Sequence, residues 1–207
     1  SFHKPVGVDR HRAPEAEIEA RMGQIDAKIA EITGKKQDGK KEDRGRRETE
    51  KNADDEKAGN EKKVREDVIV VSADEVGIEH EAIIRRAWCK RRVRTRIRVD
   101  RERQSQKYIG FLHESDGRVD LMRLDRCNTD NVLKALTELT LKYPDKTIVV
   151  VWDNAGWHKS STLLAQTGEG KPLERVQFIN LPPYSPDKNP IEKVWNEGKN
   201  SISNRQR

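Results

Sequence analysis

Three acidic residues stand where a chain could use them on an ion. Asp74 follows the apolar run VIVVSA, Asp153 follows TIVVVW, and Glu192 comes two residues after the proline-crowded stretch LPPYSPDKNP. If the two apolar runs are central parallel strands, Asp74 and Asp153 emerge side by side at the carboxyl edge, where open α/β sheets build their sites. Two like charges held close are costly unless a cation offsets them. An all-oxygen donor set without thiolates favours Mg²⁺ or Mn²⁺ over zinc. An aspartate after a strand can also serve only the turn that follows; two apolar strands with the same ending weigh toward the ion.

Glu192 has two readings. Asn189 is a good N-cap and Pro190 suits the first helical position, which makes Glu192 the third residue, the place of a capping-box glutamate. It could therefore merely cap its helix. A first-turn carboxylate also sits in the positive end of the helix dipole, which keeps it ionised. Pro182, Pro183, Pro186 and Pro190 fix φ at four points, so the loop is stiff enough to aim that helix end at a chosen place. A third ligand needs such aim.

The elements that must position these groups are legible from periodicity. VIVVSADE, 68–75, and TIVVVWD, 147–153, read as strands buried on both faces. VRTRIRV, 93–99, alternates Val93, Thr95, Ile97 and Val99 with arginines, as a half-buried strand does. KYIGFLH, 107–113, and RVDLMRL, 118–124, flank Ser115-Asp116-Gly117 and read as a hairpin. Residues 129–143 form a helix begun by Asn128 or Thr129, with a stripe of Val132, Leu133, Leu136, Leu139 and Leu141, stopped by Pro144. VQFINL, 176–181, is a short strand, and Pro190 opens the last helix. Ahead of these, Ile18, Met22, Ile25, Ile29 and Ile32 make a helical stripe over 15–32, suited to a packed arm or a short coiled coil. The order predicts an α/β domain with a mixed central sheet flanked by helices.

Composition divides the 207-residue chain. From Lys35 to Glu66 it is almost all charge, with Val64 as the one large apolar residue, too little to offset the entropy of ordering. The expected organisation is an N-terminal helical arm over 1–34, a charged linker over 35–66, and a catalytic α/β domain over 67–207. The net charge of +6 suits a polyanionic partner without requiring one. Cys89 and Cys127 lack metal or disulfide spacing, and a reducing, cytoplasmic setting is the expectation. No stretch approaches the about 20 apolar residues of a membrane span. The chain opens on Ser and stops at SISNRQR, which reads as a fragment cut at both ends.

Three blocks carry a resemblance: VIVVSADEVG, VVVWDNAGWHKS and LPPYSPDKNPIEKVW. In order and approximate spacing they resemble the DDE transposases of the mariner-like superfamily, in particular its bacterial and archaeal insertion-sequence branch. The third block is the most specific, and RCNTDNVLKAL, 126–136, is similar to the family's segment before its second strand. The likeness covers about residues 68–200. It implies an RNase H-like fold and a catalytic triad of Asp74, Asp153 and Glu192 binding two Mg²⁺ (or Mn²⁺) ions. Asp187 falls on the family's loop aspartate, so its expected role is structural. Asp153 and Glu192 are 39 residues apart, a few more than the family's usual spacing; the excess is assigned to TGEGK, 167–171.

The implied activity is DNA transposition, a recombination reaction of mobile elements. Phosphodiester hydrolysis at the element ends frees a 3′-OH, which then attacks target DNA. Two metals can serve both the attacking and the leaving oxygen, so no Ser/His/Asp arrangement is needed. The implied partners are double-stranded DNA, at element ends and target, and a second copy in a homodimer on paired ends, with nucleoid association and TA-rich targets. His158 matches the family's DNAxxH and is expected to contact the scissile phosphate or orient a ligand, unless it is a surface histidine at a helix start. Asn154 is a supporting residue or a turn former. Trp152 and Trp195 read as core, while Trp157 lies in the loop by the site.

Arg85, Arg86, Lys90, Arg91, Arg92, Arg94, Arg96 and Arg98 form a basic cluster suited to DNA phosphates, or else a solvated sheet face. The family's N-terminal helix-turn-helix has no match here; the helix at 15–32 resembles the segment that follows it. Two rivals remain: a truncated, non-catalytic transposase remnant that binds DNA or a partner subunit, and a structure-specific nuclease or resolvase of the same fold, which SPDxNPIE disfavours.

Overall fold

The computed structural model describes residues 11–34, 65–79 and 104–202. Five strands form one sheet in the order β3-β2-β1-β4-β5. These are β1 (Val68–Glu79), β2 (Ser105–His113), β3 (Val119–Leu124), β4 (Thr147–Trp152) and β5 (Val176–Asn180). β1 runs antiparallel to β2 and parallel to β4, and β4 runs parallel to β5, so the sheet is mixed. β4 lies between two parallel neighbours and buries every residue after Thr147, which is why its sequence is apolar without alternation. The β2–β3 hairpin turns at Gly117, whose φ of 71° is open to glycine at little steric cost.

Helices cover both faces. On one, α2 (Thr129–Lys142) buries Val132, Ala135, Leu136 and Leu139 against Val71, Ala73, Ile109, Phe111 and Trp152. The Asn128 side chain accepts from the Asn131 amide at 3.1 Å and so caps α2. Leu141, placed on the buried stripe by its spacing, is 73% exposed, and in the last turn Thr140 is buried instead. On the other face, α1 (Glu15–Thr33) lays Met22, Ile25, Ile29 and Ile32 over Val149, Val151, Ile179 and Leu181. α4 (Ile191–Ile202) sets Ile191 and Trp195 against Val76, Tyr108 and Leu112.

Two boundaries differ from the periodicity. β1 does not end at Asp74; it continues to Glu79, paired with β2 over the whole extension. Its pairing with β4 stops at Ser72, so among the described residues the second half of β1 pairs with β2 alone. A 3-10 turn (Gly156–Lys159) and the short helix α3 (Ser161–Leu164) follow β4; neither is long enough to show a period. The strand read at 93–99 and the arginine cluster from Arg85 to Arg98 lie outside the described residues. Among the described residues no helix is long and apolar enough to cross a membrane.

Candidate active site

The acidic groups come from three elements. Ser72 pairs with Val151 in the parallel register of β1 and β4; two residues further along each chain lie Asp74 and Asp153. Side chains at matched positions of parallel strands share a face, and this is the face that α4 covers. The start of α4 is tied down beside Asp74, because Asn189 donates its Nδ2 to the Ala73 carbonyl at 3.1 Å. Trp195, one turn into α4, donates Nε1 to Asp74 Oδ2 at 3.1 Å. Gly110 lies directly across from Asp74 in β2, and its missing side chain makes room for the Trp195 ring. The apolar contact of α4 therefore sets the placement of Glu192 in its first turn.

Asn189 was expected to cap α4 with its side chain. Its backbone is extended, as a cap's is, but its amide bonds β1 and its Oδ1 has no partner. The Asn189 N–H, which a capping box would give to Glu192, goes to the Pro186 carbonyl at 2.9 Å. Glu192 is thus not engaged in a capping box.

Electrostatics tie the three together. Burial first, then the charges of Glu192, Glu75 and Asp153, push the Asp74 carboxyl up to about 7. Asp153, with a side chain 55% exposed, is held below the usual carboxylate range, chiefly by a hydrogen bond from His158 and then by the Ala155 amide. Among the described residues, no three His, Cys, Asp or Glu side chains are gathered tightly enough to cage an ion as they stand. The set fits hard divalent cations in chemistry: oxygen donors and a half-buried carboxylate strained by like charges, while burial and the charges of Glu75 and Asp74 push the nearby Cys127 thiol up and keep it from ionising.

His158 is not a surface residue. Its side chain is 1% exposed, and its two ring nitrogens lie 2.9 Å from Asp153 Oδ1 and 2.9 Å from Glu75 Oε1. Burial alone would lower its pKa, but the two carboxylates outweigh that and hold it at about 9. The ring thus bridges two carboxylates, a setting that favours its protonated form. Asn154 donates to the Leu181 carbonyl and so links the end of β4 to the end of β5. Asp187 bonds Arg12, fastening the start of α1 to the proline loop, with Lys188 bridging to Glu15 at 2.6 Å. Trp152 is core, stacked between His158 and Phe178. Trp195 is both packing and a donor to Asp74, a role that reading it as core alone misses. Glu75 also escaped the sequence reading: alternation puts it on the opposite face from Asp74, and a lone glutamate next to an aspartate carries no spacing signal.

Comparison with known proteins bears on the family and the fold. A family model described as "DDE superfamily endonuclease" matches residues 69–207. A curated relative from Sinorhizobium fredii (strain NBRC 101917 / NGR234), "Uncharacterized protein y4pE/y4sA", is 33% identical over 73 residues, covering 35% of this chain and 49% of the relative. The match thus spans about half the length of that relative. Among solved structures, a Mos1 transposase paired-end complex with left transposon end is similar at TM-score 0.50 and 15% identity, over 100% of this chain and 70% of that one. A Mos1 mariner paired-end complex with Mn is similar at TM-score 0.50 and 15% identity, over 99% and 70%. These likenesses concern the fold, which is RNase H-like. With five mixed strands, helices on both faces and a family match over residues 69–207, the chain belongs to the DDE superfamily endonucleases.

Proposed function

We propose that this chain carries the catalytic domain of a metal-dependent DNA transposase, cutting phosphodiester bonds at the ends of a mobile element and joining the freed 3′-OH to target DNA. The observation that carries the proposal is that the charges of Glu192, in the first turn of α4, and of Asp153, just past β4, both bear on the half-buried carboxyl of Asp74 in β1. That solved neighbours are transposase complexes with transposon ends, one of them with Mn, supports the reading. Asp74, Asp153 and Glu192 would hold two Mg²⁺ or Mn²⁺ ions. The chemistry such a pair supplies is activation of an attacking oxygen and stabilisation of a leaving oxygen.

The chain's own residues do the rest. Trp195 fixes one oxygen of Asp74. His158 and the Ala155 amide hold Asp153. The Asn189 bond to Ala73 fixes the root of α4 and with it the first turn that carries Glu192. The phosphate backbone of double-stranded DNA is the substrate class, and a homodimer on paired ends is the working assembly.

The test is Mg²⁺-dependent nicking of a labelled duplex bearing the element's ends, by the wild-type protein and by Asp153→Asn. Nicking by the wild type that the substitution abolishes supports the proposal. Equal nicking by both would refute it, and nicking by neither under Mg²⁺ or Mn²⁺ supports the remnant that binds without cutting.

A further inference from the structure

We propose that Glu75 is a positioning residue of the acidic site, fixing the Asp153 carboxylate from the opposite face of the sheet through His158. The inference rests on the reading of Asp74, Asp153 and Glu192 as the ion-binding set.

Alternation along β1 sends Asp74 and Glu75 to opposite faces. Because β4 ends at Trp152, the turn Gly156–Lys159 meets β1 where a strand would otherwise pair. Trp157 donates Nε1 to Glu75 Oε1 at 3.0 Å, and His158 Nε2 lies 2.9 Å from the same oxygen. The Glu75 side chain is 8% exposed. A carboxylate so buried is costly, and an apolar residue of similar volume would serve packing as well.

What the carboxylate adds is direction. The His158 ring is stacked on Trp152, with centroids 4.0 Å apart and planes 5° from parallel. Glu75 anchors one nitrogen, and the other lies 2.9 Å from Asp153 Oδ1, which also accepts the Ala155 amide at 3.0 Å. Both contacts fall on Oδ1, so one oxygen of Asp153 is spent on the protein and the other is oriented for an ion. The strut runs Glu75–His158–Asp153 around the end of β4 and joins the two faces of the sheet. A partner bonded directly to a metal ligand, as His158 is to Asp153, typically contributes roughly 10–100-fold to metal affinity, and Glu75 acts on Asp153 only through that ring.

The test uses Mn²⁺ alone as probe, titrated into the full chain and followed by the electron paramagnetic resonance of the free ion. Glu75→Gln keeps the shape and removes the charge. It is expected to weaken Mn²⁺ binding roughly tenfold, the low end of that range, while Asp120→Asn, at a buried carboxylate two strands from β1 whose partners are His113, Lys142 and Tyr143, leaves the affinity unchanged. In a His158→Gln background Glu75→Gln should add little, because the strut is already broken. A folded Glu75→Gln protein with wild-type affinity overturns the proposal, as does the same loss with and without His158. Absence of Mn²⁺ binding by the wild type would instead sink the ion-binding reading, and this inference with it.

Discussion

Adding one methyl group to Gly110 tests whether packing places Glu192. Gly110 faces Asp74 across the β1–β2 pair. A Cβ there would lie 2.7 Å from Trp195 Cζ2 and 3.0 Å from Ile191 Cδ1, short of the ordinary contact range that starts at 3.4 Å. Trp195 and Ile191 are both on α4, so the helix must retreat by on the order of 1 Å, the response expected of an overpacked core. The retreat carries Glu192 away from Asp74 and stretches the 3.1 Å bond from Trp195. Overpacking costs about 1–3 kcal/mol, and replacing a strand glycine by alanine returns roughly 0.5–1 kcal/mol. The net loss of about 1–2 kcal/mol lowers the melting temperature by several degrees, at roughly 2–4 °C per kcal/mol for a domain of this size.

The effect on rate is larger, since a misplacement of about 1 Å at a reacting centre can cost ~10²-fold. Gly110→Ala is therefore expected to remain folded at 25 °C and to nick DNA about 10²-fold more slowly. Gly77→Ala, on the neighbouring strand β1, is the control: its nearest neighbour is the free end of the Lys107 side chain, which can swing aside. Nicking rates and circular-dichroism melts of both variants decide the matter. A Gly110→Ala protein that melts lower yet cuts as fast as Gly77→Ala would show that α4 does not set the geometry of the site.

Trp195→Phe keeps most of the ring and removes the donor to Asp74 Oδ2; a hydrogen bond to a charged acceptor contributes about 1.5–3 kcal/mol, so nicking should fall at least about tenfold while the far-ultraviolet spectrum is unchanged, and wild-type rates would deny that bond a role. Away from the site, burial would raise the Asp120 carboxyl, but hydrogen bonds from Lys142, His113 and Tyr143 outweigh it and bring it down to about 2 from the ordinary 3.8. A depressed folded pKa contributes stability above the unfolded value, here about 2 kcal/mol, which is lost as pH falls from about 4 to about 2. Urea midpoints measured from pH 5 to 2 should fall more steeply for the wild type than for Asp120→Asn, and parallel curves would contradict the assignment.

Much of this protein was determined locally. β4 is legible because a strand flanked on both sides by parallel neighbours must be apolar throughout, and TIVVVW is. The α2 cap and most of its stripe follow from short-range rules, and the proline loop announces a helix aimed at something. Asp74, Asp153 and Glu192 stand out for their positions relative to those elements. Their convergence is not a local property. It depends on the parallel register of β1 with β4, on the Asn189 bond to Ala73, and on the gap at Gly110 that admits Trp195. Each joins residues far apart in the chain, and no spacing encodes them. Asn189 illustrates the limit: local rules made its side chain a helix cap, yet the neighbouring strand offers its amide a buried carbonyl, and the tertiary bond won. Glu75 illustrates it from the other side. Adjacent to Asp74 in sequence but on the opposite face, it reaches the site only because β4 ends early and a turn brings His158 between two carboxylates, where burial makes an unpartnered charge too costly to leave alone.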